Sequence, residues 1–222
     1  MSQFVTRILF SAPLRLQYER RKAFTRVFNF IYFNKVDGAY IEFGVASGLT
    51  FKLALLNAKV RNMNQMTFIG VDTFLGFPET NGPEIEFKSY GSIVGSRSFS
   101  ISAIRNRLKG SIANDINLIK INMETDNLND LKQVVRATNI AIAHLDMDYY
   151  SPTINALSII CGSLSVGSIL MFDNYFFFAA NDSMGERRAL SEFRASNPKI
   201  LISDYFTYGW HGKAFIVTSI LS

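Results

Sequence analysis

The chain has 222 residues, 48% hydrophobic, 14% aromatic and 18% charged, with a formal charge of +5 and a pI of about 9.3. This composition suits one globular domain with a full core and excludes a disordered chain, and no run approaches the roughly 18 apolar residues of a membrane span. The basic balance favours an anionic partner, whether nucleic acid, a membrane surface or a phosphorylated small molecule.

No dense Lys/Arg run accompanies that charge. Arg15, Arg20, Arg21 and Lys22 alternate with apolar residues, as on a helix with a solvated face, so nucleic acid is not the expected partner. The single cysteine, Cys161, rules out an internal disulfide and suits a reducing cytoplasm; inside the apolar run 156–161 it reads as a buried spectator. The weak apolar patch Ile8-Leu9-Phe10 lacks the long core and cleavage site of a signal peptide.

In chain order, residues 1 to about 36 read as helical, with Leu14, Tyr18, Phe24, Phe28 and Ile31 at near-helical spacing; Asp37-Gly38 breaks the pattern. Residues 1–37 thus form an accessory helical segment ahead of a main unit over 38–222. Apolar strands are expected at 39–45, 67–71, 116–121, 140–145 and 168–172, with helices at 49–58, 101–108, 152–161 and 185–195. Residues 75–98 show no clear period and suggest a lid or substrate loop, in a region reaching to about 115. Two final strands, 200–206 and 213–220, flank Tyr208-Gly209-Trp210-His211-Gly212. Strand–helix alternation followed by two adjacent strands predicts an α/β, Rossmann-like fold: a mostly parallel seven-stranded sheet with an antiparallel C-terminal hairpin and helices on both faces.

Ligands of such sheets gather at the carboxyl ends of the strands. The first strand ends in Glu42-Phe43-Gly44-Val45-Ala46-Ser47-Gly48, where small residues permit a sharp turn and the next helix offers free N–H groups. This is not the G-x-G-x-x-G of dinucleotide sites. An acidic residue two before the first glycine is instead the usual form of an S-adenosylmethionine loop, which names Glu42, Gly44, Val45, Ala46, Ser47 and Gly48 as cofactor residues. The second strand ends in Asp72-Thr73, placed to accept hydrogen bonds from ribose hydroxyls; helix or loop capping is the plainer alternative for Asp72.

The fourth strand delivers Asp146 and Asp148, which alternation sends to one side, and the fifth delivers Asp173-Asn174. Two adjacent carboxylates repel unless a cation or proton joins them, and carboxylate with amide oxygen is a magnesium-type donor set. Asp146, Asp173 and Asn174 are therefore the candidate metal ligands, with Asp146 or Asp148 as base. His144 reads as a packed core residue, and His211, beside Trp210, as a candidate base or substrate contact.

Taken together, these segments resemble the macrocin and mycinamicin O-methyltransferase family over roughly residues 38–212. Glu42-Phe43-Gly44-Val45 with Gly48 is similar to its E-x-G-V-x-x-G loop, and Val71–Glu79 to its D-S-F-x-G-L-P-E segment. Asp126-Asn127-Leu128 is similar to D-T-L, and Leu145–Thr153 to L-D-G-D-x-Y-x-S-T. Leu164–Tyr175 is similar to L-S-x-G-G-x-x-x-x-D-D-Y, with Asn174 in place of the second aspartate. The resemblance implies transfer of a methyl group from S-adenosylmethionine to a hydroxyl of a sugar or phenolic natural product, with Mg2+ assistance, by a cytoplasmic homo-oligomer associating through N-terminal helices. An RNA methyltransferase, on the ground of the basic pI, and a non-catalytic binding or scaffold protein, on the ground of Asn174, stand as alternatives.

Overall fold

The structure is a computed structural model that describes residues 12–77, 95–109 and 115–221. The N-terminal patch 8–10, the greater part of the expected lid and the Pro78-Glu79 end of the second motif lie outside these residues. Helix α1 (Ala12–Asn34) leads into strand β1 (Ala39–Phe43), helix α2 (Leu49–Val60), strand β2 (Phe68–Asp72), helix α3 (Ile101–Leu108) and strand β3 (Ile116–Lys120). Helix α4 (Asn129–Arg136), β4 (Ile140–Leu145), α5 (Tyr150–Ile160), β5 (Leu164–Phe172), α6 (Gly185–Ser196), β6 (Ile200–Tyr208) and β7 (Gly212–Ile220) follow. The strands form one sheet in the order β3-β2-β1-β4-β5-β7-β6. All pairs from β3 through β5 are parallel, and β7 enters antiparallel between β5 and β6.

Strand parity builds two apolar layers. Ala39, Ile41 and Phe43 of β1 face one side and pack with Leu131, Leu157 and Leu190 of α4, α5 and α6. Tyr40 faces the other, with Phe24, Phe28, Phe51 and Ile104 of α1, α2 and α3. Helices therefore cover both faces, as expected. Helix α1, expected as an accessory segment, contributes Ala23, Phe24, Val27, Phe28 and Ile31 to the second layer, each at most 3% exposed. Its apolar stripe is core, shared with β1 and β4.

Two elements differ from the expectation. Helix α4 was not anticipated, because only two turns long it buries just Leu131 and Val135. Strand β5 starts at Leu164 rather than Ser168, its first residues being carried past Gly167, whose φ of +93° suits glycine. No helix among the described residues is long and apolar enough to cross a membrane.

The register sets up the site. Phe43 pairs with Val71 on one side and Leu145 on the other, and Leu145 pairs with Phe172. The next residues of four parallel strands, Gly44, Asp72, Asp146 and Asp173, thus stand in one row at the carboxyl edge.

Phe28 is fully buried, with its ring centroid 6.2 Å from that of Tyr40. Phe28→Ala is expected to cost about 3–5 kcal/mol through lost burial and the cavity left behind, read as a shifted midpoint in denaturant unfolding.

Candidate active site

At the head of the row the chain leaves β1 through three left-handed residues, Gly44 (φ +90°), Ala46 (φ +43°) and Gly48 (φ +75°). A Cβ on Gly44 would lie 2.0 Å from the carbonyl oxygen of Asp146, so the close approach of the two strand ends requires glycine. The Gly48 N–H donates to the Val45 carbonyl at 2.8 Å and closes the turn, and the Ser47 carbonyl accepts from Arg107 of α3.

The Asp72 carboxylate ties the second strand end to this turn. Its Oδ2 accepts from the Ala46 N–H at 2.8 Å and its Oδ1 from the Phe74 N–H at 2.6 Å. Each oxygen keeps a second lone pair, and Asp72 remains on the wall of a cleft. Thr73 shares that wall; its hydroxyl donates to the Gly76 carbonyl at 3.1 Å and accepts from the Leu75 N–H at 3.1 Å. The cleft, open to solvent, is also lined by Gly44, Ala46, Asp146 and Asp148.

Two of the expected cofactor residues sit elsewhere. Parity turns Glu42 away from the cleft and under α1, where it is fully buried. Its Oε1 accepts from the Thr50 hydroxyl at 2.7 Å and its Oε2 from the Tyr40 hydroxyl. Val45 likewise directs its side chain into the core, leaving only its backbone at the turn. Glu42 therefore braces the loop from beneath.

The same parity places His144 against Phe24 of α1, ring centroids 5.3 Å apart. His144 is a packed core residue, as expected, but it lies between two carboxylates. Its Nδ1 stands 3.5 Å from Glu42 Oε2 and its Nε2 3.8 Å from Asp173 Oδ1, ion-pair distances longer than tight hydrogen bonds. Burial pulls the imidazole pKa down, but Asp173 and Glu42 outweigh it and raise it to about 10. On the far side of Asp173, Arg20 of α1 donates from Nε to Oδ1 at 3.2 Å and from its terminal nitrogen to Oδ2. Burial alone would raise Asp173; His144 and Arg20 reverse it and hold the group well below the usual carboxylate range.

Asp146 and Asp148 do come together, by a different route from strand alternation. Strand β4 ends at Leu145, and the chain then turns through Asp148 in the left-handed region (φ +64°). The Asn174 side-chain amide joins the pair, Nδ2 donating to Asp146 Oδ1 at 3.1 Å and to Asp148 Oδ1. Desolvation at the cleft floor raises both acids, Asp146 to about 7 with help from Asp173, and Asp148 to about 6 against the pull of Arg97. Glu186 of α6 accepts from the Asn174 N–H at 2.9 Å and is pushed far above its ordinary value, first by burial and then by the neighbouring carboxylates.

His211 reaches the cluster only through the backbone. Its Nδ1 lies on the Asp173 carbonyl oxygen and the ring is buried, outside the cleft lining. Beside it Trp210, 62% exposed, lies flat on Phe177 with centroids 5.2 Å apart and planes 14° apart. Next along the chain, Phe178–Ala180 form a left-handed turn, and the Phe178 ring stacks on Tyr149.

Arg20, Arg97, Met123 and Glu186 were not anticipated. Arg97 and Met123 line the cleft, and Met123 lies just past the carboxyl end of β3, a strand tip that carries no acid or glycine turn to mark it. Arg20 carries no local signal, since its partner is 153 residues away.

The family described as macrocin-O-methyltransferase (TylF) matches residues 16–200, most of the chain. The chain belongs to the macrocin O-methyltransferase family. It is accordingly an S-adenosylmethionine-dependent O-methyltransferase. Among solved structures, the chain is similar to the calicheamicin methyltransferase CalS11 at 20% identity and a TM-score of 0.70, covering 96% of this chain and 85% of that one. It is similar to the O-methyltransferase NovP at 18% identity and 0.68, covering 90% and 80%. The O-methyltransferase TomG from Streptomyces achromogenes, in complex with the methyl donor, shares 9% identity at a TM-score of 0.55, covering 89% and 80%. At these identities the likeness speaks to the fold. No curated protein matches the chain at significance.

In this macrocin-type methyltransferase the metal site expected of Asp146, Asp173 and Asn174 does not fit the donors as placed. Both Asp173 oxygens are engaged by a guanidinium, and Asn174 presents N–H donors to Asp146 and Asp148. Mg2+ requires oxygen ligands in near-octahedral array. No group of three or more His, Cys, Asp or Glu side chains among the described residues is arranged to hold a metal ion.

Gly44→Ala should disrupt the turn. With strain of about 1–3 kcal/mol or more, S-adenosylhomocysteine is expected to bind roughly tenfold or more weakly in calorimetry.

Proposed function

We propose that the chain methylates a hydroxyl of a sugar or other small natural-product acceptor, with the donor seated in the cleft beside Gly44 and Asp72. The observation that carries this reading is the Asp72–Ala46 hydrogen bond. It joins the glycine turn and the acid of β2 at one cleft, with Asp146 and Asp148 on the same wall. Asp72 then accepts from ribose hydroxyls with its free lone pairs, Gly44, Ala46 and Gly48 shape the turn around the donor, Thr73 fixes the adjoining bend, and Glu42 braces the loop.

The reaction is an in-line displacement. The acceptor oxygen attacks the sulfonium methyl carbon, the new C–O bond forms as the C–S bond breaks, and the electron pair returns to sulfur. The hydroxyl proton passes to the Asp146/Asp148 pair, whose raised affinity for protons suits a base working near neutrality. No step in this reading passes through magnesium. A sugar acceptor accords with the structural neighbour described as a TDP-rhamnose 3'-O-methyltransferase and with the net positive charge, which suits a phosphorylated acceptor. The exposed Trp210–Phe177 stack offers an aromatic ledge for the acceptor ring. Exposed Leu14, Tyr18, Tyr32 and Phe33 on α1 support self-association through that helix.

Asp146→Asn and Asp148→Asn are each expected to lower kcat, by about 10²–10⁴-fold for whichever acts as base, with donor affinity changed far less. In the parent enzyme kcat should fall as the pH drops through about 7 to 6, where the pair takes up a proton. The variant lacking the base should lose that limb, and a flat parent profile over this range would remove the assignment. Trp210→Ala should raise the acceptor KM by roughly tenfold while leaving donor binding unchanged, measured by steady-state kinetics and calorimetry.

A further inference from the structure

Asp173 stands where the family resemblance places a metal ligand, and here it meets a fixed organic cation. The carboxylate is fully buried and offers both oxygens to one side chain, Arg20, through Nε and a terminal nitrogen. This two-point grip matches the planar fork of a guanidinium to the two oxygens of a carboxylate. The grip is not a surface accident. Arg20 lies on the buried stripe of α1, one turn before Phe24, which is fully buried with its ring against His144, itself 3.8 Å from the same Asp173. Next to it, Asn174 stands in place of the motif's second aspartate, and its amide nitrogen bridges Asp146 and Asp148, two carboxylates that repel unless a cation or donor joins them.

We propose that the Arg20 guanidinium takes the place of a divalent cation against Asp173, with the Asn174 amide joining Asp146 to Asp148, so that this methyltransferase works without a metal. The proposal uses the methyltransferase reading only for its last clause. A metal ion bound to Asp173 would displace a guanidinium nitrogen and lie beside a positive charge. Arg20 does not line the cleft. It acts through Asp173 and is a positioning residue: it holds α1 on the strand ends and supplies positive charge next to the Asp146/Asp148 pair.

The test is metal binding, which needs no acceptor. Mn2+ is titrated into the full chain and into Arg20→Ala, Arg20→Gln and Arg20→Lys, and free Mn2+ is followed by electron paramagnetic resonance. Melting temperatures with and without Mg2+ are taken in parallel, and S-adenosylhomocysteine calorimetry reports whether the cleft is intact. The expected result is no saturable Mn2+ binding and no Mg2+-dependent stabilisation of the parent protein. R20A or R20Q, with Asp173 released, should bind Mn2+ about tenfold or more tightly than the parent and melt higher with Mg2+. R20K should resemble the parent. Saturable binding to the parent, or folded R20A and R20Q proteins that gain no affinity for either ion, overturns the proposal. If R20A does not fold, R20Q and the parent titration still decide. Failure of the parent to bind S-adenosylhomocysteine, with its metal behaviour as expected, would count against the methyltransferase reading and leave the Arg20 assignment standing. A parent that transfers methyl groups only when Mg2+ is added would overturn the metal-free clause alone.

Discussion

The structure depends on a buried chain of alternating charges running from α1 into the sheet: Arg20, Asp173, His144 and Glu42. Burial disfavours the charge of Arg20, His144 and Asp173, and their neighbours hold each of these three ionised. Such an array adds little net stability over an apolar alternative. Removing one member, however, leaves an uncompensated buried charge, at a cost of about 3–5 kcal/mol. Its value is geometric. It fixes the rotation and height of α1 over the strand ends and gives Glu42 a third partner beside the Tyr40 and Thr50 hydroxyls, so the glycine turn is braced from beneath.

Above that chain the cleft gathers a second set of acids with a different electrostatic fate. Asp146 and Asp148 lie on the wall of the cavity, share one amide donor and hold their protons near neutrality. Asp173, one strand over, is held ionised by two cationic groups. Three aspartates within a few residues of two adjacent strand tips thus divide into a structural anion and a proton-accepting pair. The division is set by partners: Asp173 meets Arg20 and His144, whereas Asp146 and Asp148 meet the Asn174 amide.

Most of the frame was legible in the sequence, because the four central parallel strands, largely buried on both faces, read as apolar runs and the acids at their tips interrupt those runs sharply. The pairing of the glycine turn with Asp72 followed from the same logic. What escaped detection has physical reasons. Helix α4 buries two side chains, too few to stand out as a periodic signal. The meeting of Asp146 with Asp148 was expected for the wrong reason, since it comes from a left-handed turn at Asp148 after β4 has ended. Glu42 was expected to face the ligand because its motif adjoins the turn, yet parity sends it under α1. Arg20 reads as one more solvated charge on a basic helix, since nothing local distinguishes a guanidinium that meets solvent from one that meets a carboxylate 153 residues later.

The strand order β5-β7-β6 also constrains how the sheet is completed. Strand β6 emerges first but has no place beside β5, because β7 must lie between them. The two pair as a local hairpin around Gly209-Trp210-His211, the kind of contact that forms on a microsecond scale, whereas the β5–β7 pairing joins more distant parts of the chain. His211 sits in that hairpin, and its contact with the Asp173 carbonyl links the hairpin to the end of β5. A chain cut within β7 would strand β6 with no neighbour and leave the β5 edge bare, exposing a pairing-competent backbone to other chains. The late segments of this sequence thus guard against aggregation as well as completing the fold.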